Sequence, residues 1–367
     1  MLGSQVWNVL APPVGPKTMV SLQWLRFLAA MMVVIHHLNL SLEVFARKFG
    51  VVTSVVAMSG EFGVQVFFVI SGLIMVHVAG EQFGSLQSAK KFALNRAIRI
   101  VPLYWTLTLL QVAVLIISGS LPGEPGRLSG TALIKSMLFI PRIDYMGLHR
   151  PLLEQGWTLN FEMAFYAVFA VALILPRLAG LAIVAAVLAL MAALSPFVPD
   201  QGYGLLFDPI VLYFLAGVLI GVARKALWSR GWRGIQGISA AMVCSALMAA
   251  SVLFLNMFGS GAWQPIIATA VVASAVCLRD VQNGLTARLF AFGGDISYSA
   301  YLSHGFVLLF SGVIWRRLFG ADYLGVYYCL TLVACILAAA LCHLTIERWL
   351  TAVARRLFNG SATDVTP

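Results

Sequence analysis

Apolar residues in this chain come in long runs, separated by short segments that hold nearly all the charge. The runs lie near 20–38, 62–79, 100–118, 157–175, 179–197, 205–223, 235–255, 263–279, 291–311 and 323–345. Each is close to the ~20 residues whose helix covers the ~30 Å hydrocarbon core of a bilayer. The pattern predicts an all-α, polytopic integral membrane protein with about ten transmembrane helices. It divides the chain into a short N-terminal segment (1–18), a transmembrane region (19–350) and a short tail (351–367). The segment 119–156 is the longest polar interval. It contains Pro122, Gly123, Pro125 and Gly126, then an apolar stretch at 131–140 that is expected to re-enter the membrane or lie in its interface.

Composition agrees with this picture. Of 367 residues, 60% are hydrophobic and 10% are charged, which excludes a soluble enzyme with an ordinary polar surface. A net charge of +10 invites a nucleic-acid partner, but the basic residues sit in the short loops between apolar runs, the pattern that orients membrane proteins. With both termini cytoplasmic, the inner segments hold fifteen Lys and Arg and the outer segments eight, Arg26 completing the 24. That bias places both termini inside. Cys244, Cys277, Cys329, Cys335 and Cys342 all fall in apolar runs without metal-ligand spacing, so they read as small buried hydrophobes.

Candidate chemistry is confined to polar residues within or beside the apolar runs. The first run, VSLQWLRFLAAMMVVIHHL, carries Arg26, His36 and His37. A cation in hydrocarbon costs several kcal/mol, so such residues face a bundle interior or a watered cavity and mark a functional path. Arg26 and His37, eleven residues apart, share a helix face within roughly 20° and lie roughly 16 Å apart along the axis. The third run begins FALNRAIRIVPLYW, with Arg96 and Arg99 on one face. Their planar forks suit phosphate oxygens, and equally an anchor at lipid headgroups. The fourth begins GWTLNFEMAFYAVFA, with Glu162 about five residues inside its outer boundary. There it shares an expected depth with His37, as an orienting carboxylate for a base or as half of a structural Glu–Arg pair. Trp157 and Tyr166 read as interface and packing aromatics. In GEFGVQVFFVISGLIM, Gly60, Gly63, Ser71 and Gly72 permit close helix approach. GGDISYSAYLSH places Asp295 at an inner end and His304 near mid-membrane. His343 and Glu347, four apart, are expected to pair.

Taken in order, LQWLRFLAAMMVVIHH, GVQVFFVISGLIM, FALNRAIRIVPLYW, GWTLNFEMAFY, GDISYSAYLSH and TIERWL resemble the membrane-bound acyltransferase 3 family, nearest its exopolysaccharide O-acetyltransferase branch. The set spans residues 21–350. The resemblance implies a transmembrane acyltransferase domain in a bacterial inner membrane. It implies transfer of an acyl group, usually acetyl, from acyl-CoA to a carbohydrate hydroxyl. Position by position, it makes His37 the general base, with Arg26 its companion in the first-helix motif. Arg96 and Arg99 become the R-x-x-R pair that holds CoA, and Glu162 the acidic residue after the tryptophan motif. Ser297, Tyr298 and His304 match the late S-Y…Y-L-x-H motif. Tyr104 and Trp157 join these as substrate-side or structural candidates. One departure is Gln65, where many relatives carry Asp, which removes a charge partner at that turn. An acyl thioester is already activated, so no metal is expected. The expected partners are a carbohydrate acceptor, the bilayer and a polysaccharide assembly machinery. The competing reading is a transporter or flippase of a lipid-linked sugar, since intramembrane Arg, His and Glu also suit a proton-coupled carrier. Carriers often show internal repeats, and none is visible here.

Overall fold

A computed structural model of the protein describes residues 18–50, 60–118, 128–144, 146–199, 202–232, 234–235, 239–259, 261, 263–278 and 284–359. The expected N-terminal segment, the 122–126 stretch and the end of the tail lie outside the described residues, apart from Thr18. Among the described residues the fold is helical, with one isolated bridge between Ile235 and Leu278. The helices are α1 (Val20–Phe49), α2 (Gly60–Ala79), α3 (Leu86–Ile117), α4 (Gly130–Met137), α5 (Trp157–Ala172), α6 (Arg177–Leu194), α7 (Leu212–Ser229), α8 (Ala240–Phe258), α9 (Trp263–Cys277), α10 (Leu285–Phe319), α11 (Leu324–Cys342) and α12 (Arg348–Asn359). A π-helical turn, His343–Glu347, joins α11 to α12.

Among the described residues, eight helical segments are long and apolar enough to cross a membrane, making this an all-α, multi-pass membrane protein. The two expected spans that fall short are α5, with 16 residues, and α9, with 15. At 1.5 Å per residue they reach only about 24 and 22 Å, less than a hydrocarbon core. A larger departure concerns α3. Hydropathy predicts its span from residue 100, but the helix starts at Leu86, where the Ser85 side chain accepts the Ser88 N–H as an N-cap. The polar stretch KKFALNR is therefore helical too. Arg96 stands about 15 Å along the helix from its start rather than at its end.

The chain forms two compact units, one of residues 1–78 and 212–340, the other of 79–211 and 341–367. In the first unit, α1 and α10 run parallel and pack most extensively against each other. Their seam, with α11, is apolar: Ala30, Val34, Leu38, Ile296, Ala300, Tyr327, Cys335 and Ala339 are all buried. Glycines set the approach of the other helices. A Cβ on Gly63 of α2 would lie 2.6 Å from the Ala29 carbonyl oxygen, and one on Gly60 would lie 2.8 Å from the His36 ring. Helices α2 and α7 meet backbone to backbone. Cβ atoms on Gly72 and Gly217 would sit 2.1 Å from the Phe214 oxygen and 2.0 Å from the Val69 oxygen. Small residues at such a contact let dispersion and backbone proximity hold helices where no hydrophobic force can. Gly72→Ala is expected to cost about 2–3 kcal/mol through overpacking. Thermal unfolding in detergent checks this, with Gly325→Ala, which meets nothing within 4 Å, as the silent control.

In the second unit, α3 and α5 share aromatic contacts centred on Phe169, whose ring lies 5.4 Å from that of Phe92. The apolar stretch 131–140 forms the short helix α4 and the turn after it. Trp105 Nε1 donates to the Met137 carbonyl at 2.8 Å, and the Leu152 N–H donates to Ser136 Oγ at 3.0 Å. Helix α12 covers much of the expected tail and packs on α3. Of the cysteines, Cys244, Cys335 and Cys342 are buried as expected. Cys277 is only half-buried and Cys329 is exposed, because burial inside the protein is not required of an apolar side chain on a membrane-spanning helix.

Candidate active site

The first unit carries two polar layers on the parallel pair α1 and α10. At the first, Arg26 Nη1 donates to Gln23 Oε1 at 2.9 Å, and Gln23 Nε2 donates to Asp295 Oδ1 at 3.1 Å. The amide links the guanidinium to a carboxylate on the other helix, so the Arg26 charge is balanced across the seam. Gly294 makes this possible. A Cβ there would lie 2.5 Å from the Gln23 Cβ and 2.6 Å from its Cα. Ser297 follows one turn later, fully buried, its hydroxyl donating to the Gly294 carbonyl at 2.6 Å. Tyr298 is half-buried beside it.

The second layer is a pair of histidines. His37 and His304 have ring centroids 5.0 Å apart. Each uses Nδ1 on a carbonyl one turn back in its own helix. For His37 this is Val33, at 2.8 Å, and for His304 it is Ala300, at 3.1 Å. Only an N–H can serve a carbonyl acceptor, so in both neutral rings the proton sits on Nδ1 and the Nε2 lone pair is left basic. His304 is 1% exposed and its Nε2 has no partner among the described residues. The ring of Tyr301 lies 6.3 Å from that of His304. His36, one residue from the base candidate, turns to Gly60 of α2.

The second unit gathers the remaining candidates. Tyr166 Oη donates a very short hydrogen bond to the Glu162 carboxylate. The Arg96 guanidinium stands 5.6 Å from the Phe92 ring centroid and 5.9 Å from that of Tyr166, and it feels the charges of Glu162 and Arg99. Arg96 is half-buried and Arg99 exposed. The sequence reading set the arginines at an inner helix end and Glu162 near an outer one. In the structure Arg96 and Glu162 fall within electrostatic reach of each other. The Nδ1 of His37 has a partner in Val33, on the same helix. Tyr166, read as a packing aromatic, is the hydrogen-bonded centre of this cluster. Its spacing of four from Glu162 is a signal that could have identified it. Tyr104 is fully buried, its ring stacked 4.7 Å from that of Phe139, and a Cβ on Gly156 would meet it at 2.6 Å. Trp157 is half-buried, edge-on to Phe161. The expected His343–Glu347 pair is present, Nδ1 to Oε2 at 2.8 Å.

Gln23 was not among the sequence candidates, and neither was the partnership of the two histidines across α1 and α10. The adjacent glycines Gly293 and Gly294 were the legible sign that α10 must meet another backbone. Among the described residues no three His, Cys, Asp or Glu side chains cluster as a metal site would require.

Residues 19–343 match the acyltransferase 3 family, described as an acyltransferase domain. The chain is 36% identical over 257 residues to the exopolysaccharide production protein ExoZ of Rhizobium meliloti (strain 1021), covering 68% of this chain and 77% of the relative. It is 25% identical over 331 residues to the acyltransferase MdmB of Streptomyces mycarofaciens, covering 82% of this chain and 81% of the relative. No solved structure matches. The order of motifs on these helices and the match over most of the chain agree, and the protein belongs to the acyltransferase 3 family.

Proposed function

We propose that this membrane acyltransferase moves an acetyl group from acetyl-CoA to a hydroxyl of a carbohydrate, with His37 as general base. The observation that carries this reading is the hydrogen bond from His37 Nδ1 to Val33, which fixes the ring and leaves Nε2 basic. An acceptor hydroxyl gives its proton to Nε2 while its oxygen attacks the thioester carbon. The tetrahedral oxyanion then collapses, the C–S bond breaks, and the CoA thiolate recovers the proton from the imidazolium. The His304 ring packs against His37, their centroids 5.0 Å apart, and helps fix the position of the base. Arg26, held by Gln23 and balanced by Asp295, supplies a fixed positive charge on the same helix.

Arg96 and Arg99 fit a phosphate-bearing donor by donor chemistry. Glu162 and Tyr166 hold Arg96 in place for it. The relative named for exopolysaccharide production supports a polysaccharide acceptor, with the protein in the inner membrane of a bacterium, both termini inside, beside a polysaccharide assembly machinery. Arg96→Gln is expected to raise the KM for acetyl-CoA about thirtyfold, the loss of one charge-assisted contact of ~2 kcal/mol, with a smaller change in kcat. Steady-state acetyl transfer in membranes measures both. An unchanged KM would remove Arg96 from donor binding.

A further inference from the structure

The acyl-transfer reading makes no use of α12. This helix reads RWLTAVARRLFN, with three arginines and no acidic residue. At about 100° per residue, Arg348, Arg355 and Arg356 fall within about 100° of one another. Trp349, Val353 and Leu357, each four apart, form an apolar stripe about 80° wide whose edge lies about 20° from Arg356. Ala354, about 60° past Leu357, is buried in a helix that packs on α3. The stripe is not covered in that way. Trp349 is 63% exposed and Leu357 74%, with Val353 half-buried between them. Phe358, in the last turn, is also exposed, as are Arg355 and Arg356.

Two observations identify what covers the stripe. The first is length. The last segment able to cross a membrane runs from Leu324 to Phe358, 35 residues. At ~1.5 Å per residue it reaches about 52 Å, against a hydrocarbon core of about 30 Å. About 20 Å of helix therefore lies past the core, and α12 is that part, for the apolar run ends near 345. The π-turn His343–Glu347 stands at the join, and π-turns are among the few irregularities at which a long helix changes direction. The second observation is charge. A short helix with a cationic face beside an apolar stripe containing Trp and Leu suits the boundary between headgroups and acyl chains. Arginine forks there meet phosphate oxygens in two places. A second copy of the chain would set the same cations against these, and like charges repel. We infer that α12 lies along the bilayer interface and binds anionic phospholipid headgroups through Arg348, Arg355 and Arg356, with Trp349 and Leu357 seated at the roots of the acyl chains.

The test is amide hydrogen exchange over α12, read by mass spectrometry on the full chain in nanodiscs of phosphatidylcholine, without and with added phosphatidylglycerol. Exchange in the parent should slow about a hundredfold when phosphatidylglycerol is present, each arginine at an anionic surface contributing about fivefold. High salt should remove most of that slowing. In Arg355→Gln with Arg356→Gln the response should fall to about fivefold. Both side chains are exposed, so the change removes no core contact. If the double variant does not accumulate, Arg356→Gln alone should reduce the slowing to about twentyfold. Trp349→Ser with Leu357→Ser should speed exchange in both lipids. Equal exchange of the parent in the two lipids, or undiminished slowing in the arginine variants, would overturn the inference. So would slowing that follows the number of protein copies in a disc rather than lipid charge, which would assign the stripe to a second copy.

Discussion

His37→Ala should transfer acetyl about a thousandfold more slowly than the parent, the usual contribution of a positioned general base, at equal membrane abundance and similar thermal unfolding. The ring occupies a half-buried place on α1, its Nδ1 committed to Val33, so its loss removes a base without removing core. His37→Phe separates chemistry from packing. Phenylalanine keeps a ring beside His304 but has no lone pair, so it should be as inactive as the alanine variant. Retained activity in the phenylalanine variant would mean that the pair is only a packed contact. Radiolabel counted in the carbohydrate fraction reads all three proteins in one assay.

Gly294→Ala should damage stability and activity together. The new Cβ would lie 2.5–2.7 Å from the Cβ, Cα and carbonyl oxygen of Gln23. Backbone cannot swing aside as a side-chain tip can, so α10 must move away from α1. Overpacking of this kind costs about 2–3 kcal/mol. The displacement also breaks the register that joins Gln23 to Asp295 and, ten residues later, His304 to His37. We therefore expect a lower unfolding temperature and at least a tenfold loss of kcat, since a misplacement of about 1 Å can cost a hundredfold. Asp295→Asn, which keeps the shape of the network, should preserve the unfolding temperature far better. Equal unfolding temperatures for Gly294→Ala and the parent would show that the helices do not meet as closely as described.

Much of this arrangement was legible along the chain, and the reasons differ by residue. The placement of α1, α2, α6, α10 and α11 followed from hydropathy, because a bilayer demands uninterrupted apolar runs. The close approach of α2 to its neighbours followed from Gly60, Gly63 and Gly72. The start of α3 did not, because KKFALNR is too polar to read as a span, yet it is capped by Ser85 and continues the same helix. Neither α3 nor α5, taken alone, showed that Arg96 comes within electrostatic reach of Glu162. The partners of polar residues were least legible. Spacing within a helix shows that Arg26 and His37 share a face. It is silent on Asp295, 272 residues from Gln23 in sequence, and on Gln264, 199 from Gln65. Those pairings depend on which helices adjoin, a property of the whole bundle rather than of any one segment.

The most direct test of the account is acetyl transfer by the purified protein in liposomes, given labelled acetyl-CoA and deacetylated surface polysaccharide. The account expects label to enter the carbohydrate as a base-labile ester, with one free CoA thiol released for each ester formed. Intact acetyl-CoA alongside carbohydrate that has crossed the bilayer unlabelled would contradict it and assign the intramembrane Arg, His and Glu to a carrier.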